Sequence, residues 1–67
     1  MTFQRIQDLR LEHNLTIKDI SDILHLHRDV YSRYEKGLRD VPIGVLIRLA
    51  DYYNCSLDYL VGRSDVR

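Results

Sequence analysis

Between Leu24 and Gly37 the chain reads LHLHRDVYSRYEKG. Several chemistries are available in that stretch. His25 and His27, two residues apart, could ligate a metal ion. Arg28, Arg33 and Lys36 could bind phosphate, and an arginine fork also matches the N7 and O6 acceptors of guanine. Asp29 and Ser32 add a carboxylate and a hydroxyl. Which chemistry applies depends on which of these side chains share a face and what holds them there.

A zinc site needs three or four ligands. The remaining candidates, His13 and Cys55, lie far along the chain, and no ligand spacing ties them to the histidine pair. No metal and no cofactor are therefore expected. Cys55 is the single cysteine, so no internal disulfide forms and packing must supply the stability of a small core. A lone thiol fits a reducing compartment, or simply a small buried apolar residue. Catalysis is not expected either: paired carboxylates, a phosphate loop and a nucleophile–base arrangement are all missing at meaningful spacing. MTFQRIQDLR is charged from its start, unlike a secretory signal, and the apolar run Val45-Leu46-Ile47 is broken by Arg48. A soluble cytoplasmic domain is the expectation, with no membrane and no small-molecule partner.

The formal net charge is zero, which argues mildly against nucleic acid, since phosphate contacts supply much of such affinity. The distribution argues the other way. Arg28, Arg33, Lys36 and Arg39 outnumber Asp29 and Glu35 between residues 25 and 39, while the flanks on both sides are slightly acidic.

Sixty-seven residues make one domain. Helical spacing dominates, and no stretch alternates as a strand would. A first helix is expected over about residues 2–13, with Phe3, Ile6 and Leu9 as its apolar stripe and Leu11 partly exposed. Thr16 and Asp19 predict a capping box opening a second helix, with Leu15 and Ile20 placed as a hydrophobic staple. Ile20 and Leu24 face inward there, Ser21 permits close approach of another helix, and Ile17 and Ile23 fall off that face. Residues 25–27 form a turn. A third helix runs from Arg28 to Lys36, with Val30, Tyr31 and Tyr34 inward, and Gly37 ends it. Pro42 suits the first turn of a fourth helix carrying Ile43, Leu46, Ile47, Leu49 and Ala50, with Tyr53 near its end and Gly44 weakening it. Ser56 caps a short fifth helix with Leu57 and Leu60 inward, Asp58 serves its N-terminus, and Gly62 ends it. Residues 63–67 are expected to be a loose tail. The fold class is thus all-α, five short helices around one shared core.

Helices two and three, joined by a tight turn, have the form of a helix-turn-helix, in which the second helix enters the DNA major groove. The outward positions of helix three are Arg28, Asp29, Ser32, Arg33 and Lys36, all on one face.

The chain resembles the lambda repressor and Cro-like helix-turn-helix domains, the Xre family. The resemblance covers roughly residues 3–63. It rests on LRLEHNLTIKDISDIL, VYSRYEKG and LIRLADYYNCSLDYLVGR and on the intervals between them. It implies a compact five-helix, lambda-repressor-like fold and sequence-specific binding of double-stranded DNA as a transcriptional regulator. The first, second, fifth and sixth residues of the recognition helix, which read bases in that family, match Arg28, Asp29, Ser32 and Arg33. The resemblance also implies a structural salt bridge between Arg10 and Glu35. This chain departs from the family pattern in several side chains, Ser21 standing close to the usual alanine of the second helix. His25 stands where the turn usually has glycine, and Ile17 where the second helix usually begins with glutamine. His27 occupies a cap position usually held by serine or threonine. The usual proline before the fourth helix is displaced by one position.

On this reading Arg28 and Arg33 contact guanines. Asp29 either accepts from cytosine N4 or holds a neighbouring arginine in place. Ser32 touches a base or phosphate, or stays an exposed serine. Phosphates are expected at Thr16 and the Ile17 backbone N–H, at His27, and at Lys36 and Arg39. Histidine changes charge within the physiological range, so a phosphate at His27 would make binding pH-dependent. The tyrosines are expected mostly in the core, with Tyr52 foremost for a dimer surface. A homodimer on a near-palindromic operator, with half-sites about one helical turn apart, follows from the motif. The rival is a protein-interaction module of the same fold, favoured if Ile17, Ile23 and helix three form one apolar surface.

Overall fold

The computed structural model describes residues 3–67, in which five helices follow one another: α1 (Gln4–Glu12), α2 (Ile17–Leu24), α3 (Arg28–Lys36), α4 (Ile43–Tyr53) and α5 (Leu57–Leu60). The expected start of the first helix, residue 2, lies outside the described residues. No strand is present among those described.

None of these helices is long enough to persist alone in water, where about 12–15 residues are marginal. They are held by one core. Ile6 and Leu9 enter it from α1, Ile20 and Leu24 from α2, Tyr31 and Tyr34 from α3, and Leu60 from α5. α2 packs on α3 and α4, α1 on α3 and α5, and α4 on α5. Ser21 is buried, and its hydroxyl donates to the Ile17 carbonyl at 2.7 Å, so a polar side chain is satisfied within its own helix.

α4 buries only some of its apolar residues. Val45, Leu46, Leu49, Ala50 and Tyr53 are buried, while Ile43 and Ile47 are exposed. Apolar residues occupy more than one side of this helix, so periodicity alone does not choose the face. The buried set follows the three- and four-residue spacing that α5 and α2 cover. Pro42 stands at the N-cap, one residue before the first turn. Val41, in the preceding loop, is also buried.

Helix ends are settled by local chemistry. Thr16 and Asp19 close the capping box with two reciprocal bonds of 3.0 Å each. Leu15, just before it, packs against the core that contains Ile20. Ser56 accepts from the Tyr59 N–H at 3.0 Å. The C-terminal ends are all of one kind. Asn14, His25, Gly37, Asn54 and Gly62 each have positive φ. The next N–H then returns to a carbonyl five residues back: Leu15 to Arg10, Leu26 to Ser21, Leu38 to Arg33, Cys55 to Ala50, and Arg63 to Asp58. Asparagine and histidine tolerate the left-handed region better than most residues, so three of these ends do without glycine.

Residues 63–67, expected as a loose tail, contain no helix and lie against α1. Arg67 makes two bonds to the Glu12 carboxylate, at 2.8 and 2.9 Å. Arg5 donates to the carbonyls of Tyr59 and Ser64, pairs with Asp65 at 2.8 Å, and stacks over the Tyr59 ring. The pairing with Arg67 lowers the pKa of Glu12.

Candidate nucleic-acid interface

The turn between α2 and α3 is built by its two histidines. His25 takes φ 57° and ψ 40°, the left-handed conformation the turn needs. His27 is the N-cap of α3: its Nδ1 accepts from the Asp29 N–H at 3.2 Å. An acceptor nitrogen must be unprotonated, which places the proton of the neutral ring on Nε2. The ring nitrogen takes the place of the hydroxyl that serine or threonine would supply. Each histidine therefore has a backbone task. Among the described residues no group of three or more His, Cys, Asp or Glu side chains gathers to hold a metal ion.

α3 has two unlike faces. Tyr31, Tyr34 and Glu35 are buried. Arg28, Asp29, Arg33 and Lys36 are exposed, Ser32 is half-buried, and Arg39 is exposed in the loop that follows. Among the described residues Arg28, Arg33, Lys36 and Arg39 make no ion pair. Asp29 does have a neighbour: its Oδ2 lies 3.7 Å from His27 Nδ1. The neighbour of Asp29 is thus His27, two residues before it, and not the arginine expected from the sequence.

The N-terminus of α2 faces solvent at Thr16, while Ile17 is half-buried. The Asp19 amide is taken by the cap, whereas the Ile17 N–H, at the first helical position, has no acceptor within its own helix. The Thr16 amide, and then its hydroxyl, hold the Asp19 carboxyl below its usual range.

Behind α3 lies a buried ion pair. Arg10 Nε donates to Glu35 Oε2 at 2.7 Å and Arg10 Nη2 to Oε1 at 3.1 Å. The third arm, Nη1, donates to the Leu15 carbonyl at 2.9 Å. One guanidinium thus ties α1 to the last turn of α3 and to the entry of α2. The hydrogen bond to Glu35 raises the Arg10 pKa, and burial opposes it less strongly. The Tyr31 and Tyr53 hydroxyls are buried nearby and find no hydrogen-bond partner among the described residues. Burial above all pushes both phenols far up, and the neighbouring Glu35 carboxylate adds to it, so they stay neutral.

Ile17 and Ile23 are half-buried against the core. Among the described residues the exposed large apolar ones are Leu11, Leu38, Ile43, Ile47, Tyr52 and Val66, none of them on α2 or α3. The apolar surface that a protein-binding α3 would need is not formed by these residues. No described helix is long and apolar enough to cross a membrane.

Residues 6–60 match a family model described as helix-turn-helix. The chain is 32% identical over 65 residues to the uncharacterized HTH-type transcriptional regulator YobD of Bacillus subtilis (strain 168), covering 97% of this chain and 58% of that protein. It is 32% identical over 63 residues to the HTH-type transcriptional regulator ImmR of the same organism, covering 94% of this chain and 50% of that protein. It is 28% identical over 65 residues to the cryptic phage CTXphi transcriptional repressor RstR of Vibrio cholerae, covering 97% and 59%. The chain thus spans between half and three fifths of the length of these three relatives.

Proposed function

Because this chain belongs to the Cro/C1-type, Xre-like helix-turn-helix family, we propose that it is a sequence-specific, double-stranded DNA-binding transcriptional regulator. The observation that carries the reading is the division of α3. Its core-facing side is buried aromatic and ion-paired, and its other side presents Arg28, Asp29, Arg33 and Lys36 to solvent behind a capped α2.

In this reading α3 lies in the major groove. Arg28 and Arg33 direct their guanidinium forks at guanine N7 and O6. Asp29 accepts from a cytosine amino group, and Ser32, near the middle of the helix, takes a base or phosphate. The Ile17 N–H and the Thr16 hydroxyl at the start of α2 receive one phosphate, where the helix dipole favours an anion. His27, through Nε2–H, Lys36 and Arg39 receive others, fixing the register of α3 without carrying sequence information. The Arg10–Glu35 pair holds α1, α2 and α3 at the angle that this docking requires.

The protein acts as a homodimer on a near-palindromic operator, because one short helix reads too few base pairs to be selective alone. The exposed apolar residues of α4, Ile43 and Ile47, with Tyr52, supply the contact between copies; Arg48 and Asp51 on the same helix allow reciprocal charge pairing across a twofold axis. Occupancy of the operator then represses or activates transcription.

The experiment is a salt titration of binding to random-sequence duplex. A chain with several phosphate contacts loses affinity steeply as salt rises, with a logarithmic slope of about −0.9 per contact. Binding that is absent at low salt, or flat with salt, contradicts the proposal and favours a protein partner.

A further inference from the structure

The most specific feature outside the expected pattern is the His27–Asp29 pair at the start of α3. One nitrogen, His27 Nδ1, faces both the backbone N–H of Asp29, at 3.2 Å, and its carboxylate, at 3.7 Å. Both side chains are about 70% exposed, at 70% and 71%, so the pair lies on the surface assigned to DNA rather than in the core. The two contacts require opposite protonation states. An unprotonated Nδ1 accepts from the amide and leaves the carboxylate unengaged. A protonated Nδ1 cannot accept; it becomes a donor, and the carboxylate is the acceptor within reach.

We propose that His27 is a pH-dependent latch on Asp29 and thereby sets how strictly the base opposite Asp29 is read. The inference rests on α3 being the helix that reads bases. When His27 is neutral, the amide bond caps α3, and Asp29 is free to accept from a cytosine amino group. When His27 gains its proton, the cap bond is broken and a charge-assisted bond to Asp29 replaces it. The carboxylate is then occupied within the protein, and the preference for cytosine falls. The added positive charge attracts phosphate in the same step. Acidification therefore trades specificity for affinity.

The charged and titratable residues next to His27 in the chain lie in the turn and in α3. His25 precedes it across the turn, Arg28 follows it, and the N-terminal amides of α3 disfavour a cation there. Asp29 counters them. Among the described residues no other side chain forms an ion pair with His27.

Two measurements on the whole chain decide the matter. The first needs no DNA. Nitrogen-15 NMR of the imidazoles, followed from pH about 8 to about 5.5, covers the window in which histidines change charge. The neutral His27 ring is expected with its proton on Nε2, and the Asp29 amide is expected to shift with the same midpoint as the ring. In His27→Asn, where asparagine still caps a helix but does not titrate in that window, the Asp29 shift is expected to vanish. An Asp29 amide that ignores the His27 titration, or one that titrates unchanged in His27→Asn, overturns the latch.

The second measurement uses a duplex selected from a random pool and its variants at the position lost in Asp29→Asn. The wild-type chain is expected to lose on the order of fivefold to tenfold of its discrimination at that position between pH 8 and 5.5. His27→Asn and Asp29→Asn are expected to show no change with pH. Discrimination that is flat in the wild type overturns the latch while base reading stands. If the ring and amide titrate together but no duplex is selected, base reading by α3 fails, and the specificity role falls with it.

Discussion

α3 carries charge on two sides, and the two sides differ in what the charges are doing. Glu35 faces inward, is almost fully buried, and is bound twice by Arg10. Arg28, Arg33 and Lys36 face outward without an ion-pair partner among the described residues. The buried pair spends its hydrogen bonds on the protein and fixes three segments relative to one another. The outward groups face solvent. A buried charge that loses its partner is costly, whereas an exposed one is nearly neutral to stability. The same helix should therefore separate folding from binding cleanly under mutation.

The largest effect is expected inside. Glu35→Ala or Arg10→Ala strands a buried charge and should lower unfolding free energy by about 3 kcal/mol or more in denaturant titration. The double variant Arg10→Met with Glu35→Leu should recover much of that loss, because apolar residues of similar size often replace a buried pair at no cost. A double variant as unstable as either single one would break the contrast between the two faces.

Outside, the order reverses. Arg28→Ala or Arg33→Ala should weaken binding to a selected duplex by about 1–3 kcal/mol each, read by fluorescence anisotropy. Stability should stay within about 0.5 kcal/mol of the parent, as surface substitutions usually do. A large loss of stability would mean that these arginines are structural.

Next in size is the start of α2. Thr16→Ala removes the cap and should cost about 1 kcal/mol. Asp19, held below its ordinary range by the Thr16 amide and hydroxyl, adds a pH signature. Its contribution is present above the unfolded carboxyl range and is lost as pH falls through the lowered folded value. Acid unfolding of Thr16→Ala should therefore be less steep than that of the parent in that range. The smallest effect belongs to Lys36→Ala and Arg39→Ala, each expected to reduce the salt slope of DNA binding by about one and to leave sequence preference unchanged.

The two faces were also unequally legible in the sequence. The outward set on α3 follows from spacing alone once the helix is placed between the turn and Gly37. The capping box is equally local, two side chains three residues apart. His25 and Gly37 can be read as left-handed positions, but Asn14 and Asn54, which serve the same role, stand in no turn motif that marks them. The Arg10–Glu35 pair joins residues 25 apart and was visible only through resemblance to a family. The contacts of Arg5 and Arg67 join residues more than 50 apart, and no local pattern signals them. α4 shows a different limit: with Ile43, Val45, Leu46, Ile47 and Leu49 nearly encircling the helix, the covered face depends on where α2 and α5 lie. The His27–Asp29 contact needed no distant residue, only the recognition that an imidazole nitrogen can cap a helix as a hydroxyl does.

The central claim is that the outward face of α3 reads DNA sequence, and selection from a random duplex pool by the intact chain tests it most directly. The expected result is an enriched, near-palindromic site with half-sites about one helical turn apart, in which Arg28→Ala relaxes one position and Arg33→Ala another. No enrichment, or an enriched site that both variants select unchanged, contradicts the account.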